Sequence, residues 1–457
     1  MTMKLQSSEK KTSKKDRKVK VKGWIGNHFV ESILYDSKEA FLCYNKETKG
    51  LEVHQTLEDQ EWSYVPCEKD SYGYDTYSFS SLEFNNLLFT NITKESLLDE
   101  IKQVVDDYLV ARDEIKYLVI GDILLTYCYE WISTTHFIFA VGDINSGKST
   151  LTRHFHRLGY RCLYGTNLPY ADIYNFLGKD EEGAGTIAED EAQDISFERN
   201  KIRLYKNSYN KGNRQPIIDM QNGRKQIFYW TFCFKAFSGE RLPFDKGMLD
   251  RLAVCFMMQG KPKKNIKDPG VEDQEIFRKL RNKMLLWKLL NIEKGLEGTQ
   301  FQEISRDQEF YENYLKIMSG TKYEAQGKNA VEYFVKQRHE RIWDSTEAKI
   351  FRLVLKVMKE NNEVYFQDLW NSLADGSEIE VNFDKGSYVD RDTGQRISQN
   401  FVAKILVEKF QGKKMVRKEF YENNKQKRIT YYVFDEKILA EFTKKYNVES
   451  DSVLDQK

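Results

Sequence analysis

The stretch Gly142–Ser149, GDINSGKS, decides how this chain is read. It satisfies the phosphate-binding loop pattern G-x-x-x-x-G-K-[ST], with Gly142, Gly147, Lys148 and Ser149 at the fixed positions. Each residue type has a physical reason. A loop wrapped around phosphates must turn several backbone N–H groups inward, and glycine reaches backbone angles closed to other residues. The Lys148 ammonium belongs on the β- and γ-phosphates of ATP, and the Ser149 hydroxyl on Mg²⁺. Asp143, Ile144, Asn145, Ser146 and Thr150 complete the expected cofactor-binding set. From residue frequencies alone such a match arises in roughly 2% of chains of this length, and its setting lowers that figure. His136–Gly142 (HFIFAVG) reads as a buried strand and Lys148–Leu158 (KSTLTRHFHRL) as a helix ended by Gly159, so the loop falls at a strand-to-helix turn.

Hydrolysis needs more than a loop that holds phosphate. It needs a second strand ending in acids, one serving the metal and one orienting water. Gly185–Glu191 (GTIAEDE) has that form: Thr186–Ala188 supply the strand, Asp190 is expected to serve Mg²⁺ with Ser149, and Glu191 the attacking water. Glu189 stands where an apolar residue is expected, which leaves the register open by one; an exposed acidic loop is the competing reading. Arg203–Arg214 then reads as a basic helix and turn. Pro216–Met220, the Asn222-Gly223 pair and Gln226–Phe234 give a strong hairpin signal, with Arg224 and Lys225 beside its tip. The run Ile227–Phe234 (IFYWTFCF) reads as a buried core strand, with Ser238 at its end as a γ-phosphate sensor. In Met248–Met258 (MLDRLAVCFMM), Arg251 directly precedes another apolar strand. A lone arginine there equally suits a surface salt bridge, and a basic hairpin equally suits a solvated loop.

The order of these features resembles the AAA+ ATPases, in particular their superfamily 3 helicase branch. More narrowly, it resembles the ATPase modules of plasmid- and virus-type replication proteins and their archaeal chromosomal relatives. Asn207–Arg214 (NSYNKGNR), Phe234–Pro243 (FKAFSGERLP) and Met248–Val254 (MLDRLAV) carry the resemblance, which covers about residues 95–345. It implies an α/β fold: a P-loop NTPase core with a central parallel sheet, assembling as a homo-oligomer such as a hexameric ring. Within it, Arg251 would be an arginine finger reaching a neighbouring subunit's ATP, and the Arg224/Lys225 hairpin would face DNA in the pore. Lys148, Glu191, Ser238 and Arg251 would form the catalytic set. Two departures stand out: Glu189, and Ser238 in place of the commoner Asn or Thr sensor.

Composition bounds the remainder. The 457 residues suit two or three domains, and 40% hydrophobic with 14% aromatic content suffices for well-formed cores. A net charge of +1 requires any nucleic-acid contact to come from local patches. Six dispersed cysteines without a C-x-x-C pair argue against a zinc or disulfide framework, and His154 and His156, two apart on a helix, cannot chelate together. Tyr117–Ile132 is interrupted by Asp122 and Glu130, so no membrane span is expected, and no signal-peptide core is visible. The expected setting is cytoplasmic.

Along the chain, residues 1–20 read as a disordered basic tail, either a nucleic-acid grip or a solubiliser. Residues 21–92 read as a β-rich domain with a hairpin connection at Asn45–Gly50, and 93–134 as helices begun by a Thr93 cap. The ATPase core is expected over 135–262 and a helical lid over 263–343. A winged-helix domain is expected over 344–438, with a flexible tail at 439–457. In that domain Asp344 and Glu347 suggest a capping box for Thr346–Lys359, Val364–Ala374 a strand and second helix, and Ser398 the cap of Gln399–Phe410. Met415–Glu422 and Arg428–Asp435 read as paired strands. Lys404, Lys425 and Lys427 are the expected DNA contacts there. The insertion Gly376–Gln395 is long for such a fold.

The leading functional expectation is a Mg²⁺-dependent ATPase coupled to DNA, an oligomeric helicase or translocase of replication or mobile-element type. An ATP-gated DNA-binding regulator with slow or no hydrolysis is the alternative. A small-molecule kinase fits poorly, because the Asp190-Glu191 pair suits water activation.

Overall fold

A computed structural model describes residues 16–68, 75–178, 180–219, 224–243, 245–297, 305–343, 345–375, 379–382, 387–390, 396–420 and 426–446. The chain divides into two compact units, Met1–Phe334 and Val335–Lys457.

The first unit is built on five parallel strands. Their order is Cys162–Thr166, Thr186–Asp190, Lys235–Gly239, Phe137–Val141 and Leu252–Phe256. A parallel sheet is covered on both faces, which is why these segments read as apolar runs; all of Phe137–Val141 is buried. The helix Lys148–Leu158 buries Leu151, Phe155 and Leu158, and Phe155 stacks on Phe234 at 5.1 Å. One expectation is corrected here. Ile227–Phe234 is not a single core strand: Lys225–Trp230 pairs antiparallel with Arg214–Asp219 as a hairpin, and the core strand begins only at Lys235. Aromatic residues fill both pieces, because Phe232 and Phe234 are buried in the connection while Phe228 is 46% exposed on the hairpin.

Helices follow the expected caps. Thr93 makes a reciprocal capping box with Ser96 at the start of Lys94–Tyr108. Asp113–Leu125 is the next helix and ends in a tight turn at Thr126–Cys128. Val271–Leu290, Arg306–Met318 and Glu324–Trp343 are further helices. Among the described residues no helix is long and apolar enough to cross a membrane. All six cysteines are buried and unbridged.

Ahead of this core, Lys22–Ile25, His28–Tyr35, Lys38–Asn45 and Gly50–His54 form an antiparallel meander with Val30, Phe41 and Cys43 inside. Asp16–Lys20, expected as tail, is a strand pairing in parallel with Trp62–Pro66. Its polar sequence is accommodated because the Lys18 and Lys20 ammonium groups lie over the Trp62 and Tyr64 rings, at 6.0 and 5.8 Å. A buried charge cluster ties the meander to the core. Glu31 Oε1 accepts from Lys288 Nζ at 2.8 Å and from Tyr160 at 2.7 Å, and Glu31 Oε2 accepts from Arg161 at 2.5 Å. Burial alone would raise the Glu31 carboxyl; Arg161, Lys288 and Lys22 hold it below its ordinary value.

The second unit packs Thr346–Val357, Phe366–Asp375 and Gln399–Lys404 against a three-stranded antiparallel sheet of Glu363–Tyr365, Gln426–Val433 and Lys413–Phe420. Phe351, Val354, Leu369, Leu406, Phe410 and Phe434 lie in its core. Ser345 caps the first helix, accepting from the Ala348 N–H, and Asp344 lies outside the described residues. Ser398 caps the third as expected, and that helix continues through Ile405–Lys409 as a widened turn. The expected insertion carries structure: its strands Ile379–Asn382 and Ser387–Asp390 form a small sheet with Arg396–Ile397, which directly follows it. Asp390 is buried there, accepting from Lys349 at 2.7 Å and Thr346 at 2.6 Å. Residues 439–446, expected as tail, belong mostly to the helix Glu436–Lys445, since Leu439, Phe442 and Tyr446 pack on the core.

Candidate nucleotide-binding site

Parallel strands deliver their C-terminal ends to one edge, where open sheets bind ligands. Here that edge carries the loop after Val141, together with Asp190 and Ser238. Gly147 precedes the helix at φ +86°, a left-handed conformation that glycine adopts at little cost, and Asn145 also has positive φ. Gly142 has no room for a side chain: a Cβ would lie 2.5 Å from the Met257 carbonyl oxygen and 2.8 Å from Ser146 Oγ. The loop is thereby held tightly against the neighbouring edge strand.

Lys148 Nζ donates to the carbonyl oxygens of Gly142 and Asp143, both at 2.7 Å. It must exchange those partners to reach a phosphate. Ser149 Oγ donates to Asp190 Oδ1 at 2.9 Å, and the Ser238 hydroxyl donates to the same oxygen. Ser149, Asp190 and Ser238 thus meet at one atom, drawn from segments 41 and 48 residues apart. Glu191 follows with φ +57° and an exposed side chain, its N–H donating to Asp190 Oδ1 at 3.2 Å. The cleft between them, about 210 Å³, is lined by Ile144–Thr150, Asp190, Glu191, Gln193, Gly239, Glu240 and Lys267.

Two buried polar atoms in this cleft, Ser146 Oγ and Gln193 Oε1, have no hydrogen-bond partner. Buried polar groups are usually satisfied, so the pair marks where a polar ligand fits. The residues present therefore suit a triphosphate with Mg²⁺: a glycine cradle, an ammonium, a hydroxyl and a carboxylate. Gln193, Glu240 and Lys267 escaped the sequence reading, because no spacing rule connects them to the loop.

Glu189 does not face this cleft. It is 1% exposed and ion-paired with the equally buried Lys201. Tyr205 donates to its Oε2 at 2.7 Å and the Leu168 N–H to its Oε1 at 3.1 Å. Burial pushes its carboxyl above the ordinary range, against the pull of Lys201, Tyr205 and Leu168. The register left open by this residue is fixed by Asp190, which is the acid facing Ser149.

Arg251 lies elsewhere. Leu252 pairs with Phe137 and Phe256 with Val141, so Arg251 sits at the end of the sheet opposite the phosphate loop, roughly 16 Å along the strand. Its Nη1 donates to Gly247 O at 2.5 Å and its guanidinium lies 4.4 Å from the Tyr209 ring centre, while Nε is buried without a partner. It is therefore not brought together with Lys148 and Asp190 of its own chain. Arg224 and Lys225 are exposed at the start of the hairpin's second strand, and Arg224 has φ +58°. Asn222 and Gly223 lie outside the described residues. In the second unit Lys404 is exposed and pairs with Glu408 at 3.7 Å. Lys427 belongs to the strand Gln426–Val433, and Lys425 lies outside the described residues.

No family model and no curated protein sequence matches the chain. Solved structures that resemble it include the apo C-terminal region of NrS-1, at 12% identity and TM-score 0.35, covering 89% of this chain and 97% of that one. Another is JCV helicase, at 13% identity and TM-score 0.25, covering 55% of this chain and 65% of that one.

Proposed function

We propose that this protein is a Mg²⁺-dependent ATPase coupled to DNA, working as an oligomeric helicase or translocase. The convergence of Ser149 and Ser238 on Asp190 at the mouth of the glycine loop carries the reading. In it, Lys148 leaves the Gly142 and Asp143 carbonyls for the β- and γ-phosphates. Ser149 and Asp190 hold Mg²⁺, which supplies charge neutralisation on those phosphates. Glu191, exposed beside them, orients the water, and Ser238 couples Asp190 to the γ-phosphate.

Three further observations support the coupling to DNA and to other subunits. The hairpin Arg214–Asp219 and Lys225–Trp230 has Ile218 60% and Phe228 46% exposed and Arg224 at its end. Arg251, remote from its own chain's loop, is available to a neighbour's nucleotide in a ring. The second unit has helices, hairpin and exposed Lys413, Lys414 and Lys418 in the order of a winged helix, whose cations hold phosphates.

The test is ATP hydrolysis with and without DNA, in the wild type, Lys148→Ala and Glu191→Gln. Hydrolysis stimulated by DNA is expected, abolished in Lys148→Ala and reduced by about 10²–10⁴-fold in Glu191→Gln with ATP binding retained. Hydrolysis indifferent to DNA removes the motor reading. Absence of hydrolysis in the wild type, with ATP still bound, leaves a nucleotide-gated DNA-binding protein.

A further inference from the structure

We propose that His28, Glu52 and His54 form a site for a borderline divalent transition cation, of which Zn²⁺ is the probe, on the N-terminal meander. Histidines 26 residues apart have no sequence relationship that suggests chelation. Strand pairing supplies it. His28 opens one strand opposite Asn45, which in turn pairs with Gly50, the first residue of the edge strand that ends at His54. Because side chains alternate between faces with a period of two, His28, Glu52 and His54 fall on one face.

The ligand atoms are already close. Glu52 Oε2 lies 3.0 Å from His54 Nε2 and 3.5 Å from His28 Nε2, and the three ligand atoms lie within 4.8 Å of one another. Ligand bonds of about 2.0–2.1 Å in a tetrahedral site place ligand atoms about 3.3–3.4 Å apart. The 3.5 Å separation is close to this and the 3.0 Å one a little short of it, so small rotations of imidazoles that are 24% and 36% exposed bring all three atoms, already within 4.8 Å of one another, onto one ion.

A supporting shell holds the carboxylate. Asn45 Oδ1 accepts from the Glu47 and Thr48 N–H groups of the hairpin turn, which aims its Nδ2 at Glu52 Oε1 at 2.8 Å. Thr48 Oγ1 donates to the same oxygen at 3.2 Å. Glu52 Oε1 is thus occupied by two neutral donors, and Oε2 is presented to the two imidazoles. Such outer partners orient a metal ligand. Two imidazoles with one carboxylate suit zinc, nickel or cobalt, whereas Mg²⁺ and Ca²⁺ favour oxygen donors throughout. Three protein ligands leave the remaining position to water. The site is separate from the nucleotide cleft, whose lining shares none of these residues.

The experiment uses the full chain, stripped with chelator and kept in excess Mg²⁺ so that the nucleotide cleft is supplied with its own cation. Titration with Zn²⁺ is expected to show one equivalent bound at micromolar affinity or tighter, and Co²⁺ is expected to give the visible absorption of a four-coordinate site. The His28→Ala/His54→Ala double variant is expected to lose that equivalent, and Glu52→Gln to bind at least about tenfold more weakly. Equal Zn²⁺ uptake by the wild type and the double variant overturns the site. A second measurement needs no variant. Zn²⁺ is expected to protect His28 and His54 from diethyl pyrocarbonate, as mapped by mass spectrometry, and equal labelling with and without Zn²⁺ also overturns it.

Discussion

Ser149, in the first turn of the helix Lys148–Leu158, donates a 2.9 Å hydrogen bond to Asp190, and the Ser238-bearing strand lies between the strand ending at Asp190 and the strand Phe137–Val141 that leads into the loop. The Ser238 hydroxyl reaches the same Asp190 oxygen from between. In the proposed reading, the Ser149 hydroxyl and the Asp190 carboxylate would hold Mg²⁺. Asp190→Asn keeps the shape and removes the charge. Its expected effect is a loss of about 10–100-fold in Mg²⁺ affinity, with nucleotide binding in EDTA unchanged. Mg²⁺ titrations of ATPase activity check this; an unchanged Mg²⁺ requirement removes Asp190 from the metal site.

Glu189 tests how the strand ending at Asp190 is held. Its carboxylate and Lys201 are both buried, and Tyr205 and the Leu168 N–H complete the arrangement. Removing one member of a buried ion pair strands the other. Glu189→Ala is expected to destabilise the protein by about 3–5 kcal/mol, while Glu189→Leu combined with Lys201→Met recovers most of the loss. Urea midpoints of the three proteins decide the matter. A double variant no more stable than Glu189→Ala excludes coupling between the two residues.

The contrast between Glu189 and Asp190 shows what the sequence could disclose. The phosphate loop was legible because eight consecutive residues carry it, and a strand ending in acids was legible for the same reason. Which acid faces the loop was not, because the answer depends on Lys201 and Tyr205, borne by the helix Arg199–Asn207. Ser238 lies near the end of its strand, but the start of that strand is hidden in the sequence: apolar content does not distinguish Phe228 on an exposed hairpin from Phe237 in the sheet. The polar stretch Asp16–Lys20 carried no strand period, since its pairing with Trp62–Pro66 relies on aromatic partners distant in sequence. The Glu31 cluster and the His28–Glu52–His54 group share this cause, being assembled wholly by tertiary pairing.

His154 gives the helix Lys148–Leu158 a pH dependence. It is buried, its Nδ1 bonds the Thr150 carbonyl at 2.7 Å, and its Nε2 has no partner. Burial lowers its pKa from 6.5 to about 4, despite the Thr150 bond. Between these values the unfolded chain holds a proton that the folded chain does not, so stability falls as pH drops from 6.5 towards 4, by about 3 kcal/mol for this group. His154→Phe is expected to flatten that limb in denaturant midpoints measured across the range. His156, shifted to about 4 by burial and by Arg157, leaves part of the slope in place. An identical slope in wild type and His154→Phe refutes the assignment.

Arg251 distinguishes a ring from a self-sufficient subunit. In its own chain it lies at the far end of the sheet from the phosphate loop, resting on Tyr209 and Gly247 O. If it completes a neighbour's site, Arg251→Ala binds ATP normally and loses hydrolysis by about 10³–10⁵-fold. Lys148→Ala is inactive for the opposite reason, since it keeps the finger and loses the cradle. Mixing the two inactive proteins then creates interfaces at which an intact loop meets an intact arginine, and ATPase activity returns in proportion to their number. A structural role for Arg251 predicts no recovery at any mixing ratio, together with a lowered melting temperature of Arg251→Ala alone. Activity of the mixture against ratio, beside melting curves of each variant, separates the two.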